Sequence, residues 1–178
     1  MSLPSTNLIP SVLTNARIYK DGNVLLGVAT IELPSFDYMT ESLSGLGIAG
    51  EVDTPIQGHF GSMTTKLTWN TTTADAVQLL IMEAHHLDVR GSIQSYDSGT
   101  GKYEDTAIKV LMRASPKSVG LGSFEPAKKM ESETELEVSY IKVSQGGTDL
   151  VELDKFNFIF KVKGVDYMAN IRTNLGMN

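Results

Sequence analysis

Apolar and polar side chains alternate one by one along most of this chain, the mark of strands with one buried and one wetted face. The alternation predicts a strand pair over residues 16–19 and 24–33 about the Asp21-Gly22 turn. Pro34 interrupts it, an extended arm resumes over 35–41, and the glycine-rich segment 44–50 reads as a long exposed loop. Over 59–69, Met63, Thr65, Leu67 and Trp69 fall on one face and Ser62, Thr64, Lys66 and Thr68 on the other. The pattern switches to helical spacing only over 73–83, where Thr72 with Asp75 reads as a capping box and Val77, Leu80, Ile81 and Ala84 form the stripe expected to pack on a sheet.

Two hairpins follow. Residues 87–96 and 103–114 flank a connection at 97–101 with two glycines, and 119–126 reads as loop or short edge strand. Residues 133–143 and 150–162 flank Gln145-Gly146-Gly147-Thr148-Asp149. The last strand carries Leu150, Phe156, Phe158, Phe160 and Val162 on one parity and Val151, Leu153 and Ile159 on the other, so it needs cover on both sides. Lys163-Gly164 ends it, and Tyr167, Ile171 and Leu175 keep a weak helical spacing beyond. The whole reads as a mainly β fold, one domain over residues 1–178.

Composition narrows the function classes. At 178 residues, 41% hydrophobic and 20% charged, the chain suits a soluble globular domain with a sizeable core. No apolar run approaches the roughly 20 residues of a spanning helix, and residues 1–10 lack the basic start and apolar centre of a signal peptide. Folding in the cytoplasm without membrane binding is the expectation. Cysteine is absent, which removes disulfides, thiolate metal sites and thiol nucleophiles. A net charge of −6 disfavours nucleic-acid binding, which draws on Lys and Arg to displace condensed counterions.

Candidate chemistry is sparse. Gly45, Gly47 and Gly50 have dinucleotide-fingerprint spacing, but Glu51-Val52-Asp53-Thr54-Pro55 puts carboxylates and a proline where a phosphate-binding helix would start. His85 and His86 beside Glu83 and Asp88 lack the i, i+4 spacing of a helical metal site and read as a histidine pair at a helix C-terminus. No nucleophile elbow occurs, and Asn70-Thr71-Thr72 reads as a loop rather than a glycosylated sequon. Neither catalytic residues, a cofactor nor a metal is expected. Glu131, Glu133, Glu135 and Glu137 at period two line one face of an extended segment, either as a functional acidic stripe or as a solvated face that resists aggregation at a sheet edge.

Residues 139–177 carry a series of motifs: Tyr140 with Lys142; Glu152, Asp154 and Asn157; Gly164, Val165 and Asp166; and Arg172, Asn174, Leu175 and Gly176. The series resembles that of the contractile-phage major tail tube proteins, the P2-type tubes related to R-type pyocin tubes, with Lys163 where that family usually has Asn. Weaker similarity covers 9–15, 31–34 and the glycine-rich loop with Asp53. The resemblance implies two packed antiparallel sheets, as a sandwich or partly open barrel, with one flanking helix. It also implies a non-enzymatic tube subunit whose hexameric rings stack into a β-barrel-lined conduit for DNA. The implied partners are copies of itself, the sheath, a tape-measure protein, and baseplate and tail-terminator proteins, in a virion tail assembled in the host cytoplasm. The inner tube of a phage-derived bacteriocin or other contractile injection device, passing no DNA, is the close alternative. More distant ones are a monomeric binding module with a groove near Trp69 and His59, and a metal hydrolase using His85, His86 and Glu83.

Site expectations follow from the same resemblance. Phe36, Tyr38, Gly45, Gly47, Gly50 and Asp53 fall in the implied inter-ring loop at 36–55. Asp154, Asn157, Asp166, Arg172 and Asn174 become candidate organisers of the subunit or of its contacts. The Glu131 to Glu137 stripe faces either an acidic lumen or basic residues of the sheath.

Overall fold

The computed structural model describes residues 8–22 and 24–177, so most of the segment weighed against a signal peptide lies outside the described residues. Among the described residues the fold is antiparallel β, with two short helices, and no helix is long and apolar enough to cross a membrane. The elements are β1 (Leu8–Lys20), β2 (Val24–Leu26), β3 (Val28–Glu32), β4 (Tyr38–Ser44), β5 (Glu51–Phe60), β6 (Thr64–Trp69), α1 (Ala74–Gln78), β7 (His85–Asp97), β8 (Lys102–Gly120), β9 (Ser132–Gln145), β10 (Thr148–Asp154), β11 (Ile159–Val162), β12 (Val165–Asp166) and α2 (Ala169–Asn174). Ten strands form one sheet and β4–β5 form a separate two-stranded ribbon, so the mainly β expectation holds, as an open architecture rather than a closed barrel.

The branch point is β9. Along its first half it pairs with β6, along its second half with β10, and along nearly its whole length with β8. Ser139 makes the change of partner possible: the register slips between Arg113 and Ala114, a β-bulge that kinks and twists the strand. Its hydroxyl donates to the Arg113 carbonyl (3.2 Å) and its own carbonyl accepts the Lys155 amide (3.0 Å). The sheet therefore forks into a β3-β6-β9 arm and a β1-β7-β8-β9-β10-β11 arm. One buried cluster serves both, joining Leu67, Trp69, Leu136 and Val138 to Leu87, Val110, Met112, Ile141 and Phe160. The predicted face of β6 is as read: Met63, Thr65, Leu67 and Trp69 are all buried.

Several element boundaries differ from expectation, each for a local reason. The single strand over 150–162 is two strands folded on each other, because Asp154 turns the chain. Its Oδ1 accepts the Phe156 and Asn157 amides (both 3.0 Å), and Phe158 adopts a left-handed φ of 50°. Phe156 is thereby exposed while Phe160 is buried. The predicted strand at 24–33 breaks at Gly27, with β2 staying on β1 and β3 crossing to β6. The helix is one turn and a half, not 73–83. Its cap is Thr73, which accepts the Ala76 amide (3.2 Å), in place of the Thr72–Asp75 box. It buries Ala76 and Leu79, leaving Val77, Leu80 and Ile81 of the expected stripe exposed. A second helix, α2, adds to the single one expected and packs Ile171 on the core.

Candidate functional site

Residues 36–55, read as a loop, are largely ordered as the β4–β5 ribbon. Gly45, Gly47 and Gly50, at φ values of 152°, 94° and 122°, shape the tip, and this is where glycine is needed. Asp53 sits across from Ser42, and Leu43 across from Val52. The two-residue period then gives the ribbon two distinct faces: Leu43 and Val52 on one, and Ser42, Ser44, Glu51 and Asp53 on the other, where the Ser42 hydroxyl donates to Glu51 Oε1 (2.6 Å). Every residue of β4 is exposed, and so is β5 up to Gln57. A lone two-stranded hairpin is marginal in water.

The ribbon is nevertheless firmly rooted. Phe60 at the end of β5 packs tilted against Tyr38 (4.6 Å between centroids) and edge-on against Phe160 (4.9 Å), Phe36 meets Phe60 edge-on at 6.2 Å, and Tyr167 lies 5.9 Å from Phe160. Aromatic pairs of this kind contribute about 0.5–1.5 kcal/mol each beyond their buried area. The Gln57 amide donates to the Tyr167 carbonyl (2.7 Å). At Gly58, φ 72°, an added Cβ would overlap the sulfur of buried Met168.

The C-terminal motif holds that root in place. The Arg172 guanidinium donates to Asp166 Oδ2 (2.6 Å) and to the Phe158 carbonyl (2.7 Å), while Asp166 Oδ1 accepts the Met168 amide (3.0 Å). Arg172 thereby ties α2 to β12 and to the left-handed turn before β11. The hydrogen bond from Arg172 holds the Asp166 carboxyl below the usual aspartate range against the opposing effect of burial. Asn157 donates its amide to Asp154 Oδ2 (2.7 Å), closing the turn between β10 and β11. Four of the five candidate organisers thus have partners in their own chain, and Asn174 is exposed at the end of α2.

The glutamates are distributed differently from a plain acidic stripe. Glu131 lies before β9 with a φ of 52°, while Glu133, Glu135 and Glu137 share the outward face of β9. That strand is interior to the sheet, which removes the edge-protection reading. Cations interleave the acids: Lys66 pairs with Glu133 (2.8 Å) and Lys155 with Glu137 (3.4 Å). Burial works to raise the Glu137 carboxyl, but the Ser62 hydroxyl, the Met63 amide and Lys155 outweigh it and hold it low. His85 and His86 begin β7 and point to opposite faces, His85 buried with Nε2 3.2 Å from the Ile81 carbonyl and His86 exposed. They cannot act as joint ligands, and Trp69 is core, its indole donating to Thr134 Oγ1 (3.1 Å).

Sequence reasoning missed the root residues Phe60, Gln57, Gly58 and Met168. An isolated glycine inside an alternating run signals close approach by another chain segment, and Gly58 was such a glycine.

Comparison with known proteins agrees with this geometry. The profile of the phage tail tube protein FII family matches residues 10–176. The tail tube protein of Escherichia phage P2 is 26% identical over 179 residues, spanning 95% of this chain and 99% of that one. Among solved structures, the fold is similar to a chain in the cryo-EM structure of an extracellular contractile injection system, its PVC sheath/tube terminator in the extended state. The TM-score is 0.51 at 16% identity, over 76% of this chain and 96% of that one. With a strand-built body, an exposed ribbon rooted by its C-terminal motif, and a family match spanning nearly its whole length, this chain belongs to the phage tail tube protein FII family, whose role is structural.

Proposed function

We propose that this protein forms hexameric rings that stack into the hollow tube of a contractile phage tail, with the β4–β5 ribbon reaching from each ring to the next. The observation that carries this reading is the ribbon itself: a two-faced pair of strands, exposed on both sides and rigidly rooted, in a chain of the tail tube family. Such an element gains its missing cover from a neighbour. Within a ring, a head-to-tail arrangement pairs each copy's outer strands with those of the next and closes without leftover edges.

The tube surrounds a tape-measure protein during assembly in the host cytoplasm, carries the sheath outside, ends on baseplate and terminator proteins, and later passes DNA. Six copies at −6 each give a ring charge of −36. At physiological ionic strength this acts only within a Debye length of about 8 Å of the wall, enough to keep a polyanion from adhering while it slides. Glu131 and Glu135 remain candidates for the lumen or sheath face, whereas Glu133 and Glu137 are largely offset by their lysines.

Shortening the ribbon tests the stacking role. An Asn-Gly turn joining Thr40 directly to its partner Pro55 retains the root. The shortened protein is expected to keep its melting temperature within a few degrees and to form rings without tubes by negative-stain microscopy. Full-length tubes from the shortened protein would overturn the role given to the ribbon.

A further inference from the structure

Arg17, Arg90 and Lys109 are register partners across β1, β7 and β8, three cations side by side spanning about 10 Å of sheet at the usual strand spacing. Like charges directly opposite each other destabilise a sheet. One carboxylate answers them: Asp88 Oδ2 accepts Arg90 Nε (2.9 Å) and lies 3.5 Å from Lys109 Nζ. Arg17 has no ion pair among the described residues and is exposed, and Arg90 and Lys109 remain 49% and 42% exposed. The row borders a shallow depression of about 240 Å³ lined by Asn15, Arg17, Tyr19, Arg90 and Ser92. Asn15 Oδ1 is occupied by the Ala16 amide (2.8 Å), which leaves the side-chain nitrogen as a further donor. The surface offers donors and three cations against the single carboxylate of Asp88.

The same chain carries a matching acidic segment. No Lys or Arg occurs between Asp21 and Thr65, and the polar face of the ribbon presents Glu51 and Asp53 two residues apart, about 7 Å along the strand. Among the described residues neither is paired to a cation; Glu51 takes only the Ser42 hydroxyl. By contrast Glu133, Glu137, Asp149, Glu152 and Asp166 already have cations in their own chain.

We infer that the Arg17–Arg90–Lys109 row is the receptor for Glu51 and Asp53 of a second copy, so that the ribbon of one ring docks its acidic face on the cationic row of the next. This rests on the stacking reading above and gives it a residue-level contact. Charge-assisted bonds from guanidinium forks to carboxylates fix orientation as well as attraction, and so set the rotation between rings.

Charge exchange tests the pairing. Arg17 is the position to change, since Arg90 also holds buried Asp88. Arg17→Glu is expected to cut tube yield at least tenfold while rings persist and the circular dichroism spectrum is unchanged. Glu51→Lys with Asp53→Lys is expected to do the same, and the three substitutions together to restore tubes. Wild-type stacking by Arg17→Glu, or a combined protein as defective as its parents, overturns the pairing. So does an Arg17→Glu protein that stacks normally but loses binding to a short DNA duplex, which would assign the row to nucleic acid. Wild-type protein that forms neither rings nor tubes overturns the stacking reading and this contact with it, a result distinct from the others.

Discussion

Arg172 spends both arms of its guanidinium within its own chain, on the Asp166 carboxylate and on the carbonyl of left-handed Phe158. The consequence for stability depends on pH. Because the folded Asp166 carboxyl is held below its usual value, chiefly by Arg172, its contribution is fully present above the unfolded aspartate pKa of about 3.9 and is lost as pH falls through the folded value. Thermal unfolding of wild type and Asp166→Asn is therefore expected to show a constant gap from neutral pH down to about 4, closing in more acidic solution. A gap that widens on acidification would contradict the assignment. At this scale the sequence was informative about which residues matter and silent about what they touch. Asp154, Asn157, Asp166 and Arg172 stood out by resemblance, but a carboxylate that caps amides two and three residues on competes locally with the strand ladder, and alternation alone does not register that competition.

Among the elements, the ribbon and its root depend most on one another. Gly58 lies where β5 passes over Met168, and any side chain there meets both a left-handed φ and the buried thioether. Gly58→Ala is expected to cost roughly 2–5 kcal/mol, from about 1–2 for the backbone and about 1–3 for overpacking, read from the urea midpoint at constant slope. A loss within about 0.5 kcal/mol, the scatter of neutral surface substitutions, would mean that Met168 is not fixed there. The strands were legible because β6 and the first half of β9 alternate strictly, with Thr65, Leu67 and Trp69 across from Leu136, Thr134 and Ser132 in one buried layer. The helix was misread because its packed residues, Ala76 and Leu79, are outnumbered by apolar neighbours that stay exposed in the isolated chain. Periodicity shows where apolar residues lie, not which of them this chain covers by itself.

For the whole molecule, those uncovered residues fall on three elements. Leu43, Leu46, Ile48 and Val52 on the ribbon, Leu8, Ile9, Val12 and Leu13 on β1, and Val77, Leu80 and Ile81 by α1 all face solvent in one copy. Exposed apolar area spread over the ribbon, β1 and the flank of α1 is area that the proposed ring closure and stacking would cover. The forked sheet fits the same account: the bulge at Ser139 sends β9 into both arms, so one chain offers strands in two directions. The branch shows only as a shift of the buried side from even positions, ending at Val138, to odd ones, resuming at Ile141, and reading 133–143 as one alternating strand passes over that shift. Cryo-electron microscopy of the purified protein, incubated at high concentration and with a baseplate initiator supplied, tests the central claim most directly. The account predicts hollow tubes of stacked sixfold rings in which each ribbon contacts the adjoining ring. Particles that remain dispersed monomers under those conditions, or rings stacked with the ribbons free in solvent, would contradict it.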